Sequence, residues 1–170
     1  MPDAPDPLAR RRHRRRLYRL PSRRAGVRSG RPRGDGPMRI QFETARAVII
    51  NANHREHWAK RAEKTRVLRS MARFRAHGCP AVAGRVRVIV TYTYPNRRSP
   101  KDDSNLAPST KALCDGLTDA GLWPDDNRRW VEGPDTRIGE PNRGLRSQAV
   151  RITIDITPAD SLPTLGKEGA

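Results

Sequence analysis

The residues of this chain with the most distinctive chemistry lie between Asp102 and Asp126. Asp102 and Asp103 stand at one end of this segment and Asp125 and Asp126 at the other, and the pattern between them is helical. Lys111 lies on the predicted helix. Hard divalent cations such as Mg²⁺ are held by a few carboxylates that leave positions open for water and phosphate oxygens. The segment therefore has the donors for a Mg²⁺ site that acts on phosphate groups.

Phosphodiester hydrolysis explains why such residues would be needed together. The attacking water must lose a proton, the transition state carries extra negative charge, and the leaving oxygen must be stabilised; bound Mg²⁺ serves all three needs. Lys111 lies about a turn and a half into the predicted helix, near enough to Asp102 to meet a scissile phosphate. A helix of about 15 residues spans roughly 22 Å, so the acids converge only if the loop carrying Asp125 and Asp126 folds back. Sequence spacing leaves this open.

Ordinary structural roles would use the same residue types. Acids at a helix start complement the helix dipole, and acids after a proline are common in turns. Lys111 and Asp115, four residues apart, have the spacing of an exposed ion pair. His54 and His57 lack the further ligands that a zinc site requires, and Trp58 beside them is expected to anchor the core.

The rest of the chain is strongly basic, with a formal net charge of +17 over 170 residues. Residues 1–37 hold twelve arginines and three aspartates without helical or strand periodicity, which predicts a disordered basic arm. The arm could tether nucleic acid, could target the protein although it lacks the apolar core of a secretory signal, or could precede a true start at Met38. The remaining residues carry 23 Lys and Arg against 15 Asp and Glu, so they keep a charge of +8.

Length and cysteine usage limit the class of protein. The chain has room for one ordinary domain, expected over residues 38–158, with a flexible tail over residues 159–170. Cys79 and Cys114 lack metal-ligand spacing and favour a reducing, cytoplasmic compartment. No apolar run approaches the ~20 residues of a membrane span.

Hydrophobic periodicity predicts the elements that must position the acids. Strands are expected over residues 46–50, 86–94, 129–132 and 150–156, and a loop over residues 133–144. Helices are expected over residues 56–77 and from Ser104 or Asn105, both good caps, to Gly121. This order favours an α+β fold, with the helices packed on one face of a small mixed sheet.

The segment from Asp102 to Asp126 resembles the signature of the RusA family of Holliday junction resolvases, crossover junction endodeoxyribonucleases common in phages and prophages. That signature is approximately D-x-D-N, a lysine and an aspartate four apart on a helix, then A-G-apolar and D-D. The matching residues are Asp102, Asn105, Lys111, Asp115, Ala120, Gly121, Asp125 and Asp126. Residues 51–58, followed by the basic helix, resemble the family's N-terminal segment, and the resemblance extends roughly from Ala47 to Ile156.

The chain departs from the signature at two places. Ser104 stands where the family has its second aspartate, and Asp103 lies one place earlier. The spacing from Asn105 to Lys111 is three residues longer than in the shortest form of the motif. A serine hydroxyl is a poor Mg²⁺ ligand beside a carboxylate, so we expect Asp103 to take its place.

The resemblance implies a RusA-like fold and a Mg²⁺-dependent endodeoxyribonuclease that resolves Holliday junctions by paired phosphodiester hydrolysis in DNA recombination and repair. The implied catalytic residues are Asp102, Lys111 and Asp126. Asp102, Asp103 and Asp126 would hold Mg²⁺ with Asp125 supporting them, Lys111 would contact the scissile phosphate, Asn105 would cap the helix or brace the loop, and Asp115 would orient Lys111.

The resemblance also implies branched DNA as the partner, a homodimer, and a bacterial or phage-encoded protein of the cytoplasm. Phosphate contacts are expected from basic residues on the first helix and before Asp102, namely Arg61, Lys64, Arg69, Arg73, Arg97, Arg98 and Lys101. Two alternatives remain. Ser104 keeps open a catalytically weakened or inactive relative that binds branched DNA, and the acids could be only caps and turns in a basic RNA-binding protein.

Overall fold

The computed structural model describes residues 33–34, 36–96 and 102–159, which form an α+β fold. Its regular elements, in chain order, are β1 (Arg33–Gly34), β2 (Met38–Ala45), α1 (Trp58–Arg75), β3 (Ala81–Val82), β4 (Val86–Thr93), α2 (Ala107–Asp119), β5 (Val131–Ile138) and β6 (Ala149–Pro158). Short 3₁₀ helices, Arg46–Val48 and Asp103–Leu106, precede α1 and α2. None of the helices in the described ranges has the length and apolar composition of a membrane span.

Four strands form a mixed sheet in the order β2-β6-β4-β5. β6 lies between β2 and β4 and is antiparallel to both, whereas β5 joins β4 in parallel. Alternate residues of β6 are fully buried because this central strand turns one side of its pleat toward the core. Those residues are Val150, Ile152, Ile154 and Ile156.

Both helices cover the same face of this sheet. Residues that lie opposite one another across three strands are all buried: Phe42, Ile152 and Tyr92. On this face, α1 contacts β2 where Thr44 Oγ1 lies 3.6 Å from Met71 Sδ. α2 contacts β4 where the Tyr92 hydroxyl lies 3.1 Å from Thr110 Oγ1. The expected packing of the helices on one face of a mixed sheet is therefore what the described residues adopt.

The opposite face of the sheet is polar and carries cross-strand pairs. The pairs are Arg39 with Asp155, Arg151 with Glu43, Gln41 with Thr153, and Arg87 with Asp135. Solvent screens exposed pairs of this kind, so they make this face polar more than they stabilise the fold.

The two helices approach each other closely at Gly116. A Cβ atom at this position would lie 2.3 Å from the backbone oxygen of Arg69 and 2.9 Å from the Cβ of Ala72. Beside this contact the Arg69 guanidinium donates to Asp119 through Nε at 2.5 Å and Nη2 at 2.8 Å. The absence of a side chain at Gly116 thus lets the backbone of α2 lie directly against the backbone of α1 at Arg69.

The predicted strand over residues 46–50 was wrong. Arg46–Val48 forms a 3₁₀ helix instead, and Ile49 and Ile50 follow it as buried residues that belong to no strand. The first long strand is β2, which the prediction overlooked although Ile40, Phe42 and Thr44 alternate with polar residues. Its last residue is Ala45, because the chain must then leave the sheet to reach α1.

The predicted loop over residues 133–144 was wrong in its first half. Val131–Ile138 forms β5, a strand at the edge of the sheet. An edge strand tolerates Pro134, because a strand with only one neighbour does not need every backbone N–H for hydrogen bonds to other strands. Gly133 has a φ of 98°, and the pairing of β4 with β5 shifts register between Arg87 and Ile89. Gly133 and Pro134 have low strand propensity, so the sequence pattern did not predict this strand.

The remaining predicted elements were confirmed with ends shifted by a few residues. The helix expected over residues 56–77 is α1, the strands expected over 86–94 and 150–156 are β4 and β6, and the helix ending before Gly121 is α2. In β4 and β6 the buried residues follow the predicted apolar period.

Part of the segment predicted as a disordered arm has regular structure. Arg33 and Gly34 form β1 and pair in parallel with Ala81 and Val82 of β3. Of the other residues of that segment, Gly36 and Pro37 belong to no helix or strand, and residues 1–32 and 35 lie outside the described residues, as does nearly all of the predicted tail.

We expect Gly116→Ala to lower the free energy of unfolding by about 2 kcal/mol, because the new methyl group forces the helices apart. The gain of about 1 kcal/mol in helix propensity is too small to offset this. Urea unfolding measures the change. Gly84→Ala is the control, since a Cβ there meets nothing within 4 Å. Equal stability of the two variants would contradict the close crossing of α1 and α2.

Candidate active site

Asp102 lies directly before the 3₁₀ helix that leads into α2. Its Oδ1 accepts a hydrogen bond of 2.9 Å from the backbone N–H of Ser104, so Asp102 caps this turn. The predicted caps Ser104 and Asn105 lie within the 3₁₀ helix instead, and α2 itself begins at Ala107. Asp103 is exposed in the first turn, where the positive end of the helix favours a carboxylate.

The additional residues between Asn105 and Lys111 form the first turn of α2 and hold a neighbouring segment. The buried Ser109 Oγ accepts from Ile50 N–H at 2.7 Å and donates to Ile50 C=O at 3.0 Å. The backbone oxygen of Asn105 accepts from Ala52 N–H at 2.8 Å. The two stretches that resemble the RusA family are therefore in contact. Sequence reasoning missed Ser109, because nothing in a serine's local pattern indicates a distant backbone partner.

The C-terminus of α2 closes with a Schellman motif centred on Gly121. Gly121 has a φ of 76°, its N–H donates to Thr118 C=O at 2.8 Å, and the N–H of Leu122 donates to Leu117 C=O at 3.3 Å. Glycine adopts this left-handed conformation without the strain that a Cβ would introduce. The chain consequently reverses direction immediately after the helix.

Buried side chains hold the loop that follows against the end of α2. Trp123 is only 2% exposed, and its Nε1 donates to Thr118 Oγ1 at 2.7 Å. Leu122 is fully buried, and its backbone oxygen accepts from Val82 N–H at 2.9 Å. Beyond these anchors the Asp125 carboxylate accepts from Asn127 Nδ2 at 2.7 Å. Leu122 and Trp123 therefore fix the start of the loop that carries Asp126.

Asp126 returns to the side of α2. Its Oδ2 lies 3.5 Å from Lys111 Nζ, which also donates to Asp115 Oδ1 at 3.2 Å. Lys111 is the fifth residue of α2, so Asp126 lies beside the N-terminal half of the helix, the half nearer to Asp102. The tertiary structure thus provides the reversal that sequence spacing left open.

The charges around Lys111 favour its cationic form. The hydrogen bond from Lys111 to Asp115 raises the pKa of the lysine, and the charge of Asp126 raises it further. Arg69 Nη1 lies 4.0 Å from Asp115 Oδ2 and links α1 to this cluster. Burial raises the pKa of the nearby Cys114 thiol to about 12, with the charges of Asp115 and Asp126 adding to the effect. Cys114 is thus a neutral thiol and not a nucleophile.

The donors fit Mg²⁺ by their chemistry, although the described residues contain no group of three or more His, Cys, Asp or Glu arranged to hold a metal ion. Mg²⁺ is commonly bound through one or two carboxylates and completes its shell with water and phosphate oxygens. Within the described part of the chain, Oδ2 of Asp102 and Oδ1 of Asp126 accept no hydrogen bond. Each acid therefore retains a free oxygen.

Two of the predicted DNA-binding residues have carboxylate partners within the chain. Lys64 Nζ lies 2.5 Å from Glu56 Oε1 with only 13% of the lysine side chain exposed, and this hydrogen bond lowers the pKa of Glu56. Arg69 is bound by Asp119. Arg61 and Arg73 are exposed, whereas Arg97, Arg98 and Lys101 lie outside the described residues. DNA contact by all seven stays a prediction.

The expectation that Trp58 anchors the core was wrong, because the side chain is 75% exposed. The buried residues of α1 are Leu68 and Ala72, so its first turns lie beyond the part of the helix that covers the core. His57 caps this end, since its Nδ1 accepts from Ala59 N–H at 3.3 Å. The His57 and Trp58 ring centroids are 5.6 Å apart.

Ser109→Ala is expected to lower the free energy of unfolding by about 2 kcal/mol, because it leaves the buried N–H of Ile50 without its acceptor. Chemical denaturation measures the loss, with the exposed Ser147→Ala as the control. An unchanged stability would show that the contact between residues 50–52 and α2 does not depend on this hydroxyl.

The Arg69–Asp119 pair should give a small pH-dependent stabilisation. The hydrogen bond from Arg69 lowers the pKa of Asp119 below its ordinary 3.8, so the stabilisation is complete above pH 3.8 and is lost as the pH falls through the lowered value. We expect Asp119→Asn to lower the free energy of unfolding by about 0.5 kcal/mol at pH 6, a small value because Arg69 is about half exposed. Thermal unfolding of the wild type and of Asp119→Asn at pH 6 and pH 3 tests this. A difference in stability between the two proteins that is larger at pH 3 than at pH 6 would contradict the assignment.

Comparison of the chain with protein-family models and with curated proteins found no match. The resemblance to the RusA family therefore rests on the motif residues of this chain and their order, and it stays a hypothesis.

Proposed function

We propose that this protein is a Mg²⁺-dependent, structure-selective endodeoxyribonuclease of RusA type that resolves four-way DNA junctions by paired nicks in recombination and repair. The observation that carries the proposal is the 3.5 Å separation between Asp126 Oδ2 and Lys111 Nζ. It brings a carboxylate from beyond α2 back beside a lysine in the half of the helix nearer to Asp102.

In this proposal Asp102, Asp103 and Asp126 hold the metal ion, and Asp125 supports them. The chemistry that Mg²⁺ would supply there is activation of water and neutralisation of charge on the phosphate. Lys111 donates to an oxygen of the scissile phosphate, and its raised pKa keeps it protonated for this task. Asp115 holds the Lys111 ammonium group in position through the 3.2 Å hydrogen bond.

The charge of the chain supports a polyanionic partner. Without the arm the remaining sequence still carries +8, which attracts DNA phosphates and speeds encounter. A four-way junction presents strands related by near two-fold symmetry, so a C2 homodimer would place one site on each of two strands. By the same resemblance we propose a bacterial or phage-encoded protein that acts in the cytoplasm.

A second candidate is a relative that binds branched DNA without cutting it. Ser104 at the position of the family's second aspartate favours it, as does the absence of a three-carboxylate group from the described residues. The hydrogen bond from Ser104 N–H to Asp102 is compatible with a purely capping role, which a basic RNA-binding protein would also use.

We expect paired nicks in a labelled four-way junction with Mg²⁺, none with EDTA and none in matched linear duplex. Asp126→Asn should abolish the nicks because it removes a metal ligand, and Lys111→Met should slow them about 100-fold or more because it removes the cation at the phosphate. Glu140→Gln, at an exposed carboxylate outside the site, is the control and should nick normally.

Other outcomes of this experiment decide among the candidates. Tight junction binding by the wild type without any nick would favour the binding relative. Equal affinity for an RNA hairpin and for the junction would favour the RNA-binding protein, since a resolvase should prefer the junction by a wide margin.

A further inference from the structure

A shallow groove of about 540 Å³ lies on the exposed side of α1. Its lining residues are Trp58, Arg61, Ala62, Thr65, Arg66 and Arg69. Among the described residues, Trp58 and Phe74 are the two large hydrophobic side chains left exposed. The groove therefore combines a flat aromatic ring with three arginines on one helix.

The arginines of the groove give it a positive charge. Within the described residues Arg61 and Arg66 form no ion pair with a carboxylate, whereas Arg69 is bound by Asp119. Two cations are thus free for an anionic ligand beside an exposed indole. A ligand with both a flat apolar face and negative charge matches this surface, and a nucleotide has both.

The groove adjoins the candidate active site through Arg69. Arg69 Nη1 lies 4.0 Å from Asp115, which holds the lysine that pairs with Asp126. From Arg69 to Trp58 the helix rises about 16 Å, which corresponds to roughly five steps of a nucleic acid strand at about 3.4 Å each. A strand engaged at the acids is therefore within reach of Trp58 if it follows α1.

We propose that Trp58 stacks on an unpaired base of the DNA strand that passes through the candidate active site, while Arg61 and Arg66 bind the phosphates of that strand. The inference rests on the proposed function and specifies its substrate. A base inside a duplex has both faces covered by its neighbours, so only a base released from the stack offers a face to the indole. At a branch point the stack of base pairs is interrupted, so a base there leaves the stack at a lower cost than a base inside a duplex.

Binding is measured with the full chain in EDTA, by fluorescence anisotropy of labelled oligothymidylate and of a duplex of equal charge, over a series of salt concentrations. Trp58→Ala should weaken oligothymidylate binding about tenfold without changing the salt dependence, because base stacking releases no counterions. Trp58→Phe should retain part of the affinity. Arg61→Ala and Arg66→Ala should each reduce the slope of log K against log[salt] by about 0.7.

Phe74→Ala is the matched control. Phe74 is 58% exposed and lies on the same helix, but sixteen residues at about 100° each turn it about 160° away from Trp58. Its loss should leave the affinity unchanged. Oligothymidylate should also quench tryptophan fluorescence more strongly in the wild type than in Trp58→Phe, because the other two tryptophans are less exposed: Trp123 is buried and Trp130 is half-buried. Circular dichroism verifies that each variant is folded.

The inference is overturned if Trp58→Ala binds oligothymidylate like the wild type, or if it loses affinity for duplex to the same extent. It is also overturned if sedimentation shows that Trp58→Ala breaks a dimer, because a second copy would then cover the groove. Because binding is measured without Mg²⁺, nicking does not enter the result. If the wild type nicks junctions but Trp58→Ala binds oligothymidylate normally, only this inference is wrong. If oligothymidylate binding depends on Trp58 but the wild type makes no nick, only the proposed function is wrong.

Discussion

The close approach of α1 and α2 at Gly116 is the contact on which the arrangement of the candidate site depends. With the backbone of Arg69 against a residue that has no side chain, the Arg69 guanidinium reaches Asp119 and lies near Asp115. Asp115 in turn holds Lys111, which meets Asp126 from the returning loop. A wider separation of the helices would disconnect the groove on α1 from these acids, because within the described part of the chain Arg69 is the one residue of the groove lining with an ion pair to them.

A basic protein that carries an acidic cluster must prevent its own cations from neutralising the cluster completely. Here the pairing is incomplete in a specific way: Asp115 and Asp119 take up Lys111 and Arg69, while Asp102 and Asp126 each keep an oxygen without a hydrogen bond in the described residues. Among the described residues, the acids with a cation at both carboxylate oxygens, Asp115 and Asp119, lie on α2, whereas Asp102 and Asp126 lie in the segments that flank it. This division suits two tasks, which are holding a cationic side chain in place and offering oxygen ligands.

The elements that could be predicted are those whose burial follows a simple period. β4 and β6 alternate strictly, and α2 places Leu113 and Leu117 inward at helical spacing, so local pattern and tertiary burial agree. β5 could not be predicted in this way, since a strand that includes Gly133 and Pro134 is stable only because β4 offers it an edge. Trp58 was misplaced for a related reason: an aromatic residue at the start of an amphipathic helix contacts the core only if the core extends that far, and here it does not.

The sequence alone determined the α+β class, the two helices, the basic character of the surface and the residue types of the candidate site, because these depend on composition and on short periods. Only the tertiary structure decided that Asp126 meets Lys111, that Ser109 binds the backbone of Ile50, and that the groove on α1 adjoins the acids. Each of these depends on how far a chain reversal at Gly121 or a helix crossing at Gly116 brings distant residues together. Such distances are set by packing between elements, which local residue patterns do not encode.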